Sequence, residues 1–116
     1  MFLQKFKIPI YDKSFYLLVT SSIDDVKKEI KGYEYDDFYG ECITIKEKKN
    51  TKTYIILRED ACKSEIVAHE CIHLTYGVLD EVGIPYDYIN QENFAYLFEY
   101  IFKEVCDILK QAKLLK

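Results

Sequence analysis

The chain has 116 residues and a formal net charge of -4, and 49% of its residues are hydrophobic. This length is typical of one domain with one hydrophobic core, which we predict to span residues 1–116. Lysines and arginines are spread among acidic residues and form no basic segment, so we expect no nucleic-acid partner. No apolar run reaches the length of about eighteen residues that a membrane-spanning helix needs. The first twenty residues alternate charged and apolar types, unlike a signal peptide, and we expect a cytoplasmic protein without a membrane partner.

The N-terminal quarter has the pattern of a hairpin followed by a helix. Residues 2–11 and 15–20 are rich in β-branched and aromatic types, and the turn-like Asp12-Lys13-Ser14 lies between them. This arrangement predicts two paired strands. Residues 21–31 begin with serines and acidic residues and end before a glycine, which predicts a short helix.

The next segment is acidic and then apolar. YEYDDFYGE, residues 33–41, is predicted to be a solvated loop, with contact to basic peptides or closure of a cleft as alternatives. Residues 42–45 and 53–57 are short apolar runs joined by the polar EKKNTK. They predict a second hairpin.

The C-terminal half predicts two long helices. Residues 60–82 are apolar on most of the helix circumference, which predicts a buried helix, and Gly83 ends it. GIPYDYIN has the composition of a loop, and residues 91–111 predict the last helix. We therefore predict an α+β fold, in which a small, mostly antiparallel sheet and a short helix precede two long helices, with the helices on one face of the sheet.

Four cysteines occur without any CxxC pair, at positions 42, 62, 71 and 106. Three of them fall in segments predicted to be buried helix or strand. With no export signal in the chain, buried free thiols are the expected state and disulfides the alternative.

The stretch VAHECIH contains both histidines of the chain, His69 and His73. On a helix they lie about 40° apart and one turn along, so their imidazoles can converge on one ion. Glu70 stands beside them, where its carboxylate can act as a general base on water. The alternative is a pair of histidines without a metal, but burying two imidazoles and a carboxylate on an apolar helix would then be costly.

A tetrahedral zinc site needs a further protein ligand, and the chain has no third histidine. We predict Glu92, in the first turn of the last helix. The loop GIPYDYIN is long enough to bring that helix beside the helix that carries the histidines. Glu99 lies on the same face seven residues later and is the main competitor. Asp80 and Cys62 project toward the ligand face but lie about two turns away.

HECIH followed by Glu92 resembles the gluzincin metallopeptidases, whose zinc is bound by the two histidines of HExxH and a downstream glutamate. From residue 60 to about 109 the arrangement is similar to the small single-domain minigluzincins. GIPYDYINQENFAYL also resembles small phage-encoded HExxH proteins of undefined substrate. The resemblance implies a zincin-like domain of phage or bacterial origin that uses Zn²⁺ to hydrolyse peptide bonds.

Two features depart from the family pattern. Thermolysin-like enzymes place an aspartate four residues after the ligand glutamate, where Tyr96 stands here, so another residue would have to orient a histidine. Asp80 is a candidate, with a solvated carboxylate as the alternative. The chain has no further histidine to stabilise an oxyanion, and core packing is the commoner role of the tyrosines that remain near the motif, Tyr76, Tyr86, Tyr88 and Tyr96.

These residues predict a zinc-dependent metallopeptidase that acts on a peptide or protein substrate. Glu70 would accept a proton from water and pass it to the leaving amine. The peptide would lie extended along residues 42–45 or 53–57 as an added strand. The alternative function is a non-catalytic, zinc-stabilised interaction protein, for example a phage factor that binds a host protein.

One glycine lies inside the predicted HExxH helix. Gly77 costs about 1 kcal/mol relative to alanine in a helix interior. Close approach of the neighbouring helix is the expected reason, with close approach of a substrate as the alternative.

Overall fold

The computed structural model describes residues 1–47 and 50–116. The elements are β1 (Phe2–Ile8), β2 (Lys13–Val19), α1 (Ile23–Glu29), β3 (Gly40–Glu47), β4 (Asn50–Leu57), α2 (Ser64–Glu81) and α3 (Gln91–Gln111). The predicted α+β fold is confirmed, with four mostly antiparallel strands and three helices. Lys48 and Lys49, in the predicted link EKKNTK, lie outside the described residues.

The four strands form one sheet in the order β1-β2-β4-β3. β1 pairs antiparallel with β2, and β3 with β4, so both predicted hairpins form. The hairpins join through a parallel pairing of β2 with β4. As a result β4 is paired on both sides, whereas β3 lies at the edge of the sheet. Of the two strands considered for peptide pairing, only β3 can accept a further strand.

Both faces of the sheet are covered. Successive residues of a strand point to opposite faces, so Leu17 and Ile55 contribute to the core beneath α2 and α3. Leu18 and Ile56 belong to a second core with Val26 of α1. The prediction that all helices share one face is therefore wrong for α1. The apolar runs in β2 and β4 are continuous because these strands are buried on both sides.

α2 is buried on one side only. Val67, Cys71 and Leu74 face the core, whereas His69 and Tyr76 are exposed. The expectation of a helix buried around most of its circumference is therefore wrong, because the sheet covers one side of α2 and α3 covers only one flank. α2 begins at Ser64 and not at the predicted residue 60, because Glu59–Ala61 form a 3₁₀ turn. Gly83 follows the end of α2 with a φ of 80°, as the sequence predicts.

α3 completes the core beside α2. Its buried residues Leu97, Ile101, Val105 and Leu109 follow the spacing of one helix face. The helices also meet where the rings of Phe94 and Tyr76 lie 4.8 Å apart. None of the described helices combines the length and hydropathy needed to cross a membrane.

All four cysteines are free, and Cys62, Cys71 and Cys106 are buried, in agreement with the sequence prediction. Cys42 is partly buried at the start of β3. Burial raises the pKa of the Cys62 thiol to about 11 and that of Cys42 to about 12, so both are protonated at neutral pH.

Candidate metal centre

The two histidines of α2 face each other across one helical turn. The Nε2 atoms of His69 and His73 are 3.3 Å apart, and their rings meet edge to face with centroids 4.9 Å apart. Helix geometry explains this placement, since residues four apart lie on the same face. Both imidazoles are exposed, so each has an approach from solvent.

The separation of the imidazole nitrogens fits a zinc site. Two nitrogens bound at about 2.05 Å to one ion with tetrahedral geometry lie about 3.3 Å apart. The observed 3.3 Å between Nε2 of His69 and Nε2 of His73 equals this value. Without a metal, the same distance suits an N–H···N hydrogen bond between two neutral imidazoles. The separation of the two nitrogens therefore fits a shared metal ion such as zinc.

Glu70 is buried although its histidine neighbours are exposed. Its side chain is 5% exposed, and one ligand atom from each of His69, Glu70 and His73 falls within a mutual distance of 4.8 Å. Burial raises the pKa of the Glu70 carboxyl, the two imidazoles partly lower it, and the charge of Glu41 raises it further. A carboxylate with a raised pKa holds a transferred proton more firmly, which suits a general base.

The start of β3 approaches α2 closely at Gly40. A Cβ at this position would lie 3.0 Å from Cγ2 of Ile66 and 3.3 Å from Oε2 of Glu70. Only glycine allows this approach without a displacement of the Ile66 or Glu70 side chain. The sequence analysis did not identify Gly40, and the available signal was a glycine at the junction of an acidic loop and an apolar strand.

The segment before β3 forms a fixed wall of the site. The Arg58 guanidinium lies 4.8 Å from the centre of the Tyr39 ring and 3.8 Å from the Asp37 carboxylate. The backbone N–H of Arg58 also donates to the Tyr39 carbonyl at 2.8 Å. Tyr33 and Phe38 are buried against the α1 core. The prediction of a solvated loop for residues 33–41 is therefore wrong for these two residues.

A cavity of about 390 Å³ lies between this wall and the two histidines. Besides His69, Glu70 and His73, its lining includes Tyr35 and Tyr39, which the sequence analysis did not single out. Their distance along the chain from the histidines, about 30 residues, explains why no local pattern indicated them.

A second cavity of about 600 Å³ lies between α2 and the β3–β4 hairpin. It shares His73 and Cys42 with the first cavity, so the two meet at the candidate metal centre. It extends along α2 past Gly77 to Glu81. The site is therefore flanked by a cavity on each side.

The structure does not bring Glu92 to the histidines. Within the described ranges, the only group of three or more potential metal donors is His69, Glu70 and His73. Glu92 is exposed in the first turn of α3. Helix geometry places it about 160° around the axis from the mean direction of the buried residues of α3. Glu92 as a ligand stays a prediction that this placement does not support.

The competing ligands also lie outside the group. Glu99 is exposed on α3, and Asp80 is exposed and lines the second cavity. Cys62 is buried before α2, and its carbonyl accepts a hydrogen bond from the backbone N–H of Lys116.

The tyrosines considered for oxyanion stabilisation lie away from the histidine cavity. Tyr76 packs its ring on Tyr86 and Phe94, and a hydrogen bond to Tyr86 raises the pKa of Tyr76. Tyr88 and Tyr96 are 85% and 70% exposed. In the described residues, the tyrosines that line this cavity are Tyr35 and Tyr39 instead.

Comparisons with known proteins do not identify a relative: no protein family, curated protein or solved structure matches this chain. The function is therefore argued from the geometry of the site.

Proposed function

We propose that this protein is a zinc-dependent metallopeptidase in which His69 and His73 bind the ion and Glu70 is the general base. The observation that carries the proposal is the convergence of two imidazole nitrogens, 3.3 Å apart, beside a carboxylate that is 5% exposed. This combination supplies two neutral nitrogen ligands and one proton acceptor within reach of one point.

When bound, zinc would supply Lewis acidity, which polarises a scissile carbonyl and lowers the pKa of water. Glu70 would take a proton from the attacking water and return it to the leaving amine. Its raised pKa supports this role, because the carboxyl has to hold the proton between the two transfers. The exposed imidazoles leave room for a substrate at the same place.

The substrate would be a peptide or protein segment in extended form. β3 has an open edge, and its first residue, Gly40, lies against Glu70. A peptide that pairs with this edge as an added strand would therefore pass beside the candidate base. The two cavities that meet at His73 provide space for side chains on either side.

A tetrahedral zinc site needs a third protein ligand, and Glu92 is the candidate from the sequence. Metal content of the purified chain, measured beside His73→Ala, Glu92→Ala and Glu99→Ala, tests it. Retention of about one zinc per chain in the wild type and loss in both His73→Ala and Glu92→Ala would support Glu92. Loss in His73→Ala alone would remove Glu92 from the site.

A second candidate function is a non-catalytic zinc-stabilised interaction protein. It is favoured by the position of Glu70, whose carboxylate oxygen lies within 4.8 Å of the imidazole donor atoms and is thus itself a potential ligand. In that arrangement Glu70 would complete the metal site and would not be available as a base.

Glu70→Gln separates the two functions. For a peptidase, this variant should retain zinc and lose at least about a hundredfold in kcat, since general-base catalysis contributes about 10²–10⁴-fold. For a structural site, it should lose zinc and stability together. Absence of zinc-dependent cleavage by the wild-type chain across a broad peptide mixture would contradict the peptidase.

A cytoplasmic location is part of the proposal. All four thiols are free, which suits a reducing compartment. Disulfide mapping of protein isolated from its source would test this location.

A further inference from the structure

Gly77 lies in the interior of α2 without a structural reason in the described part of the molecule. No described heavy atom comes within 4 Å of the Cβ that another residue would carry there, apart from neighbours in the chain and helix. Its φ is not positive either. Close packing of a neighbouring helix, predicted from the sequence, is therefore wrong. A glycine at this place lowers helix stability by about 1 kcal/mol relative to alanine and gains nothing in packing.

Gly77 lines the second cavity, between α2 and the β3–β4 hairpin, and also a smaller cavity of about 370 Å³ that includes Tyr76 and Tyr86. Along α2 the second cavity extends from His73 to Glu81, about 12 Å at the helical rise per residue. Gly77 is at the midpoint, one turn beyond the second histidine.

The lining of the cavity has an apolar part and a polar part. Phe15, Leu74 and Val78 form its apolar floor and are otherwise buried in the main core. The polar lining comes from both sides of the cavity and includes Thr44, Thr53 and Lys46 on the hairpin and Asp80 and Glu81 on the helix. A long side chain with an apolar stem and a polar end matches this division, because the stem can lie on apolar surface while the end stays hydrated.

We propose that this cavity is a substrate subsite for one long, polar-ended side chain, and that Gly77 is the residue that determines its depth. The inference rests on the proposed peptidase function. The side of the metal centre next to the β3–β4 hairpin selects the substrate, and this selection acts through Gly77. A larger side chain at position 77 would project into space that the substrate side chain needs.

The test compares Gly77→Leu with the wild type on peptides that are identical except at one position, which carries either alanine or glutamine. Each position on both sides of the scissile bond is varied in turn. Gly77→Leu should lower kcat/KM for glutamine at one position by about tenfold or more, mainly through KM. Cleavage of the alanine peptides should stay within about twofold of wild type.

Ala95→Leu is the matched control, because Ala95 is an exposed residue of α3 that does not line either cavity at the histidines. It adds similar bulk to a helix and should leave the substrate profile unchanged. Urea denaturation of each variant establishes that it is folded. Binding of the same peptides to zinc-loaded Glu70→Gln, with and without Gly77→Leu, gives a second measurement that does not depend on turnover.

The outcomes separate the subsite from the peptidase function. If the wild type cleaves peptides and Gly77→Leu has the same profile, the subsite is overturned and the peptidase stands. A uniform loss across alanine and glutamine peptides in a folded Gly77→Leu variant also overturns the subsite. If the wild type neither cleaves nor binds any peptide, both proposals fail.

Discussion

At the scale of single residues, the candidate site depends on a contrast in burial. His69 and His73 are exposed and adjacent residue Glu70 is buried, because the 100° step of the helix turns the carboxylate toward the start of β3. Gly40 makes this possible by leaving space for Glu70 and Ile66. The position of the Glu70 carboxylate, the candidate general base, therefore depends on the close approach of β3 and α2.

Gly40→Ala should destabilise the protein. The added methyl group would lie 3.0 Å from Cγ2 of Ile66 and 3.3 Å from Oε2 of Glu70, so these side chains or the backbone that carries them have to move by a few tenths of an ångström. We expect a loss of about 1–3 kcal/mol in the free energy of unfolding, measured by urea denaturation. An unchanged midpoint would show that β3 does not approach α2 in this way.

Gly77→Ala should have the opposite effect. The position lies in a helix interior, and no described atom outside its own helical surroundings contacts the added methyl group. The variant should gain about 0.5–1 kcal/mol in the free energy of unfolding, from the reduced backbone entropy of the unfolded chain. Glycine-to-alanine substitutions at positions 40 and 77 should thus change stability in opposite directions. A loss of stability in Gly77→Ala as well as in Gly40→Ala would refute the open space at Gly77.

At the scale of elements, the side chain of Arg58, directly after β4, makes several of the contacts that hold the segment before β3. Arg58 stacks on Tyr39, pairs with Asp37 and also pairs with Asp60 at 2.6 Å. These contacts join one wall of the cavity to the turn that precedes α2. An arginine suits this position because its planar guanidinium stacks and forms hydrogen bonds at the same time.

Arg58→Ala should therefore loosen the wall of the cavity while the helices remain folded. We expect faster amide hydrogen exchange in residues 35–40, and Arg58→Lys should restore protection only in part because an ammonium cannot replace the stacked plane. Lys103→Ala, which removes an exposed ion pair to Asp107 on α3, is the control. Equal exchange in wild type and Arg58→Ala would contradict this role.

At the scale of the whole molecule, buried ionisable groups link stability to alkaline pH. Burial raises the pKa of Cys42 and Tyr54 to about 12 and of Cys62 to about 11. The unfolded thiols ionise near pH 9, so above this pH the unfolded chain releases protons that the folded chain retains. Stability is thus fully present below about pH 9 and is lost as pH rises through 11 and 12.

The urea midpoint at pH 10.5 should accordingly be lower than at pH 7.5. Cys62→Ala should reduce the difference between the two midpoints, because it removes one of the groups whose pKa is raised by burial. The comparison is made under reducing conditions in both buffers. A midpoint that stays constant or rises between these pH values would contradict the burial of the thiols.

The types of element follow from local patterns, and they were predictable. Runs of β-branched, aromatic and apolar residues around turn-like or polar segments indicated the strands. The loop composition of GIPYDYIN indicated where α3 begins, and its predicted bounds of 91–111 are the observed ones. The parallel pairing of β2 with β4 and the position of α1 on the second face were not predictable from these patterns. Such arrangements depend on contacts between distant segments, which a single periodicity does not encode.

The candidate site likewise has a part that the sequence predicts and a part that depends on tertiary structure. The sequence by itself determined that His69 and His73 share a helix face, because residues four apart always do so. Tertiary structure decided which groups surround them: β3 brings Gly40 and the wall with Tyr39 to one side, and the rotation of α3 about its axis turns Glu92 to solvent. The physical reason is that helix geometry is fixed by local hydrogen bonds, whereas the orientation of one element against another is fixed by the burial of its whole apolar face.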